Sequence, residues 1–403
     1  MATLARSASA VLEAAAAAPM LAQTERWAAI NSGSRNLAGL AAMASLLADA
    51  FSALPGRVAL AAAAPSQSVA ADGRLGALAH GDNLHVVVRP EAPVQLLLTG
   101  HMDTVFAPDH PFQALRWLDA ATLNGPGVAD MKGGLAVMLA ALTALETSDL
   151  APRIGYEVVV NSDEEVGSPG SAALIAQAAR GKHAALTYEP AALPDGTLAG
   201  SRPGSGNFSI AIEGRSAHAG RNPEDGRNAV LAAADLALRL AEARGPGLSV
   251  NPAKIDGGGP NNMVPDRAVL RVNLRPAAPA DDARARALIA DAVAAVAARH
   301  EVAIHVHGGF NRPPKPLDAR AERLFGLVRE CGRALGLAIG WQPSGGVCDG
   351  NNIAACGVPV VDTMGVRGGA IHSADEYLLV ESLAERARLS ALVLLRLAEA
   401  GPA

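Results

Sequence analysis

Aromatic residues make up only 3% of this 403-residue chain, and charged residues 18%. With so few rings and a formal net charge of −5, it lacks both the stacking platforms and the basic surface that nucleic-acid binding requires. Cysteine is scarce: Cys331, Cys348 and Cys356 are odd in number and form no C-x-x-C. Neither a disulfide framework nor a zinc ribbon is read from them, and a reducing, cytoplasmic setting fits. Uncharged apolar runs of about 18 residues are missing, so no membrane span is expected. G-x-S-x-G is missing too, and no cysteine has a catalytic context, so covalent acyl transfer lacks a nucleophile. GPGVAD (125–130) starts like G-x-G-x-x-G but ends in Asp130, which argues against a dinucleotide site. HEVAIH (300–305) is one residue too long for H-E-x-x-H, and its alternation puts His305 and His307 on a solvated face. At the N-terminus Glu13 interrupts an Ala-rich stretch. That stretch reads as an amphipathic helix of the folded protein, with an export signal as the alternative.

Apolar residues, by contrast, are half the chain, and the length favours two domains over one. In QLLLTGHMD (95–103) an apolar run leads straight into His101 and Asp103. This is the pattern of a buried parallel strand presenting polar groups at its carboxyl end, where open α/β sheets build their sites. IGYEVVVNSDEE (154–165) repeats it with Glu164 and Glu165, and HAALTYEP (183–190) with Glu189. Between the first two runs, NGPGVADMKGG (124–134) carries Asp130 ahead of a helix, and IHSADEY (371–377) supplies His372. Two histidines and several carboxylates without cysteine describe a site for a hard or borderline divalent metal.

Residues 9–51 read as helical with a break at NSGSRN, where Ser34 or Asn36 caps the second helix. Strands at 57–60 and 84–90 precede the QLLLTGH strand, and helices at 133–147 and 171–181 alternate with the strands that follow. The class is α/β, a doubly wound mixed sheet. After the Gly/Pro/Ser-rich stretch 191–206 the order becomes β-α-β-β-α-β, the split ferredoxin-like unit. The expected division is a discontinuous catalytic domain (1–202 and 313–403) interrupted by a dimerisation or lid domain (203–312). The chain then returns through NRPPKP to a helix at 317–336, a strand VPVVDTMGV and a closing helix.

The motifs GHMDTVF, GPGVADMKGG, NSDEEVGSPGS, YEP, SAHAG and IHSADEY together resemble the di-zinc carboxypeptidase and deacylase family, most closely its bacterial glutamate carboxypeptidase type. The resemblance covers nearly the whole chain. It implies two Zn²⁺ bridged by Asp130, one completed by His101 and Glu189 and the other by Glu165 and His372. Co²⁺ and Mn²⁺ accept the same ligands. Asp103 would take the spare N–H of His101. Glu164, left without a ligand role, would point away from Glu165 in extended backbone and serve as general base and acid. The resemblance further implies that His218 crosses to a partner subunit to stabilise the oxyanion, that Asn262 and Arg275 hold substrate oxygens, and that the Asp130–Met131 bond is cis. GGVCDGNN (345–352) would line the specificity pocket, and Arg202 is a further candidate for substrate. The implied enzyme is a homodimeric metal-dependent hydrolase of N-acyl or peptidyl L-amino acids. A small-substrate deacylase is the runner-up, and a non-catalytic metal scaffold is disfavoured by the presence of Glu164.

Overall fold

Three helices, α1 (Arg6–Ala16), α2 (Met20–Ala28) and α3 (Leu37–Phe51), lead into strands β1 (Arg57–Ala61), β2 (Ser66–Val69), β3 (Leu75–Leu78), β4 (Asn83–Val88) and β5 (Val94–His101). The structure is a computed structural model and describes residues 6–401. Helix α4 (Gly133–Leu145), strand β6 (Ile154–Asn161), helix α5 (Ala172–Ala179) and strand β7 (Ala184–Thr187) follow. The chain then leaves for β8 (Ser205–Glu213), α6 (Ala229–Glu242), β9 (Leu248–Gly257), β10 (Arg267–Pro276), α7 (Pro279–His300) and β11 (Ala303–Arg312). It returns with α8 (Ala319–Ala334), α9 (Asp349–Ala355), β12 (Val360–Val361) and α10 (Glu381–Ala400).

The first sheet runs β1-β4-β6-β5-β7-β12 and is mixed. Strands β6, β5, β7 and β12 are parallel; at one edge β4 runs antiparallel to β6, and β1 antiparallel to β4. β5 sits between β6 and β7, which is why its apolar run is nearly continuous: both faces are covered. Helix α4 is buried at every position except Thr143, packed between the sheet and helices α1, α2 and α10. Val11, Leu12 and Ala15 of α1 belong to this core. Residues 128–145 are long and apolar enough to cross a membrane by composition, yet they lie almost wholly inside the protein. Gly134 lets α4 start hard against β7, since a Cβ there would collide with the Tyr188 carbonyl. That approach brings the Asp130 loop beside Glu189. Of the two candidate caps, Asn36 is the one used, its side chain accepting from the Gly39 amide at 3.1 Å.

The second sheet, β9-β10-β8-β11, is antiparallel throughout, the ferredoxin-like order. Alternation along β10 sends Ala268, Leu270, Val272 and Leu274 into a separate core with α6 and α7. Val269, Arg271, Asn273 and Arg275 fall on the other face. At one end of that face Val269 and Ala211 are covered by Val69 of the β2–β3 hairpin. His305 is exposed and His307 half-buried. The hairpin went unread in the sequence because SQSV and LGAL carry too little apolar periodicity.

Both crossings between the sheets lie side by side. Arg202 and Lys315 exchange backbone hydrogen bonds of 2.9 Å in each direction. Their buried side chains meet one carboxylate, Asp362, at 2.8 and 3.0 Å. This shortens the expected strand VPVVDTMGV to Val360–Val361. Beyond it the chain bends so that Asp362 reaches the crossings and the Thr363 hydroxyl accepts from the Ala199 amide.

Candidate metal centre

The carboxyl ends of β5, β6 and β7, the loop before α4 and the loop at 370–376 converge on a cleft of about 790 Å³. Asp130 lies at the centre and is buried. Its Oδ1 is 3.0 Å from His101 Nε2, which is itself 3.7 Å from Glu189 Oε2. Its Oδ2 is 3.2 Å from His372 Nε2, which is 3.1 Å from Glu165 Oε2. One carboxylate thus serves two separate imidazole–carboxylate pairs. The Asp130–Met131 peptide bond is cis.

Asp103 meets the spare nitrogen of His101, chiefly through its backbone carbonyl. The ring Nδ1 is 3.0 Å from the Asp103 backbone carbonyl and 3.4 Å from its carboxylate. Either oxygen keeps the proton on Nδ1 and the Nε2 lone pair free to bind an ion. The Asp103 carboxylate also accepts the Ser34 hydroxyl at 2.7 Å and the amides of Glu164 and Glu165 at 3.1 and 3.2 Å. These bonds shape the turn after β6. That turn corrects an expectation, because Glu164–Val166 is a 3-10 turn rather than extended backbone. Successive residues of such a turn diverge by about 120°. Glu165 therefore reaches His372, while Glu164 Oε1 meets Arg312 Nη2 at 2.7 Å.

Two residues in the centre escaped the sequence reading. Glu376, fully buried, accepts the amides of Gly127, Ala129 and Asp130 at 3.1, 3.0 and 3.0 Å and so holds the Asp130 loop. Its only signal was its place inside IHSADEY. Arg312, in a segment that reads as a proline-rich linker, bonds Glu164 and also Asp349, whose carboxylate further accepts the Ser168 hydroxyl and the Asn161 amide.

Of the candidates in the second sheet, Arg275 lines the cleft and His218 and Asn262 do not. Both of the latter are exposed, near each other where the Ala219 amide bonds the Asn262 carbonyl. Arg202 lines the cleft with its charge matched by Asp362.

Charge in the cleft is lopsided. Asp130, Glu164, Glu165 and Glu189 converge with two imidazoles, and of the arginines lining the cleft only Arg312 pairs with one of these carboxylates. Burial pushes Glu165 up to about 7 and raises Glu189. It holds Glu164 well above the usual carboxylate range, against the pull of Arg312. Asp130 alone is depressed: burial opposes its ionisation, and hydrogen bonds from His101 and His372 override it. Hydrogen bonds to Asp130 and Glu165 raise His372 to about 11. Buried carboxylates in such excess require cations. Donor atoms of His101, Asp130 and Glu165, and of His101, Glu164 and Glu189, lie within 4.8 Å of one another. An all-oxygen-and-imidazole set of this kind fits hard or borderline divalent ions.

The fold and this centre define a metal-dependent hydrolase. The profile of peptidase family M20/M25/M40 matches residues 97–396. Carboxypeptidase G2 of Pseudomonas sp. strain RS-16 is 30% identical over 79% of this chain and 77% of its own. A succinyl-diaminopimelate desuccinylase of Xanthomonas oryzae pv. oryzae is 28% identical over 75% of this chain and 83% of its own. The chain belongs to peptidase family M20/M25/M40. The same fold occurs in a metallo-carboxypeptidase of Sulfolobus solfataricus (TM-score 0.71, 15% identity, 94% of this chain and 99% of that one). It occurs too in the aminopeptidase PepT of Bacillus cereus (TM-score 0.70, 22% identity, 94% and 98%).

Proposed function

We propose that the protein is a two-metal amidohydrolase that cleaves the amide bond of an N-acyl or peptidyl L-amino acid and releases an amino acid with a free carboxylate. A glutamate-type carboxypeptidase is the favoured subclass. The observation that carries the reading is the division of Asp130 between two imidazole–carboxylate pairs. In it, His101, Asp130 and Glu189 would hold one divalent ion and Asp130, Glu165 and His372 the other, with zinc favoured and cobalt or manganese accepted. Cations held there supply Lewis acidity toward the scissile carbonyl and the attacking water.

The remaining steps belong to the chain's own groups. Arg312 occupies Oε1 of Glu164, which leaves Oε2 to take a proton from water as the water oxygen bonds to the carbonyl carbon. Glu164 then passes that proton to the nitrogen as the C–N bond breaks. Burial makes Glu164 more basic than an ordinary carboxylate, as this task requires. A second reading, supported by the clustering of Glu164 with His101 and Glu189, makes Glu164 a ligand. Similarity to a desuccinylase supports a small-substrate deacylase as the runner-up activity.

The reading also includes a homodimer in a reducing cytoplasm, where three free thiols persist. His218 Nδ1 accepts the amides of Gly220 and Arg221 at 3.1 and 3.2 Å. The ring proton therefore sits on Nε2, an exposed donor outside its own cleft and suited to an oxyanion in a partner's. Leu231 and Leu238, two turns apart on the outer side of α6 and exposed at 59% and 64%, offer apolar surface for that partner. The proposal is tested by presenting zinc-loaded protein with N-acyl amino acids, acyl-glutamates and dipeptides. Turnover that is lost to a chelator and restored by zinc supports it. Turnover indifferent to chelation, or no turnover of any of these amides, overturns it.

A further inference from the structure

Glu164 is held by a single nitrogen. Arg312 Nη2 donates to its Oε1 at 2.7 Å and to its backbone carbonyl at 3.1 Å, so the carboxylate and the main chain of the residue are fixed from one point. Arg312 is the last residue of β11 and reaches from the second sheet to the turn after β6, its side chain only 3% exposed. The other end of the fork is anchored as well: Nη1 donates to Asp349 Oδ1 and, at 3.0 Å, to Asn352 Oδ1. A guanidinium is planar, with its donors in a rigid fork. Whatever sets the direction of Nη1 therefore sets that of Nη2.

Asp349 supplies that direction. It opens α9, is buried, and accepts from three separate segments: Arg312, the Ser168 hydroxyl at 2.6 Å, and at 2.8 Å the side-chain amide of Asn161, the last residue of β6. The Ser168 oxygen in turn receives Arg312 Nη2 at 3.0 Å and the Asn161 amide at 3.2 Å, which leaves its one proton for Asp349. Every partner of the carboxylate is thus a donor. An amide in its place would turn an NH₂ on one of them. Glu164 and Arg312 line the cleft, whereas Asp349 does not. Its influence on the reacting groups passes through Arg312.

Two fates are open to Glu164 in the centre. Its donor atom lies within 4.8 Å of those of His101 and Glu189, close enough to share an ion with them, while Arg312 occupies Oε1. We infer that Asp349 is a positioning residue: by locking Arg312 it keeps Glu164 aligned as the base and out of the ligand set. The inference rests on the amidohydrolase reading and its assignment of Glu164. Substituting Asp349→Asn keeps the shape and one acceptor oxygen but sets a donor against a donor, which frees Arg312 to turn.

The expected result is a kcat roughly 10- to 100-fold lower, the usual effect of a misplaced group, with KM changed less than about threefold. Made in a Glu164→Gln background, the same substitution should lower kcat less than about threefold, because the group it positions is already gone. In the cobalt-loaded protein Asp349→Asn should weaken the visible absorption bands, since Glu164 adds an oxygen to an ion and raises its coordination; with Glu164→Gln also present the bands should not change. An unchanged kcat, a loss confined to KM, a loss of equal size in both backgrounds, or bands that Asp349→Asn leaves as they were overturns the inference. Should the wild-type protein hydrolyse no amide, the amidohydrolase reading is at fault and the cobalt bands alone decide. Weakening that requires Glu164 then sustains the positioning role, and no change, or the same change in both backgrounds, refutes it. If Asp349→Asn loses the far-ultraviolet spectrum of a folded protein, Ser168→Ala, which removes the hydroxyl shared by Asp349 and Arg312, takes its place in the same comparisons, with a kcat loss of about threefold or more expected.

Discussion

Substituting Glu164→Gln separates the two roles that the centre allows for this residue. Glutamine has the same shape and keeps an oxygen for Arg312 Nη2, now 2.7 Å from Oε1, but cannot accept a proton. General bases contribute roughly 100- to 10,000-fold, which at 1.36 kcal/mol per tenfold is about 3–5 kcal/mol of barrier. The expected outcome is a kcat at least about 100-fold lower, with KM and a metal content of two per chain little changed. Stability should move the other way. Burial raises the folded-state pKa of Glu164 above its unfolded value, so its contribution is fully present below the unfolded pKa and lost as pH rises through the folded one. Near neutral pH the charged carboxylate is a cost that glutamine removes, and the variant should unfold at the same temperature or higher. Kinetics, elemental analysis and calorimetry on one preparation decide the matter. Metal content falling to one per chain would refute the base assignment and make Glu164 a ligand, and a loss of kcat under about tenfold would place the base elsewhere.

Three further outcomes are expected. Arg312→Met leaves Glu164 and Asp349 buried without their cation and should cost about 3–5 kcal/mol of unfolding free energy in urea titrations. Glu376→Gln exchanges one of the oxygens that gather the Gly127, Ala129 and Asp130 amides for a donor. Metal affinity should fall roughly 10- to 100-fold, measured by competition with a chromogenic chelator, while the far-ultraviolet spectrum is retained. Mixing inactive His218→Ala with inactive Glu164→Gln under subunit exchange should restore activity in mixed dimers. No recovery with exchange verified by mass spectrometry, or a fully active monomer, would exclude a shared site.

Much of the centre was legible because β5, β6 and β7 carry largely apolar runs with an imidazole or carboxylate at the carboxyl end or within four residues beyond it, and a parallel sheet aligns such ends. His372 was picked out as a candidate ligand, but the pairing scheme came only through resemblance, since no local pattern links residue 372 to residue 130. Arg312 was hidden by its prolines, which mark a linker whatever the neighbouring side chain does. The Glu164–Glu165 turn was misjudged, and the further work of the Asp103 carboxylate missed, for one reason. Sequence spacing shows which residues are near a strand end but not whether a carboxylate spends its oxygens on a ring or on backbone amides, and here the amides draw the turn into a 3-10 form. The second sheet was readable from its β-α-β-β-α-β order, whereas the link from Asp349 through Arg312 to Glu164 joins three segments far apart in the chain.

The paired crossings at Arg202 and Lys315 bear on how the chain folds. Everything between them is an excursion of about 110 residues, and bringing its ends together costs about 4 kcal/mol of closure entropy. One clasp meets that cost: two backbone hydrogen bonds and a single carboxylate, Asp362, shared by two buried cations. Because the ends are adjacent, a short turn joining residues 202 and 315 would span the same gap. The part built on the first sheet is thus laid out as a continuous chain with a detachable loop, open to circular permutation or exchange of the 203–312 segment at that single point.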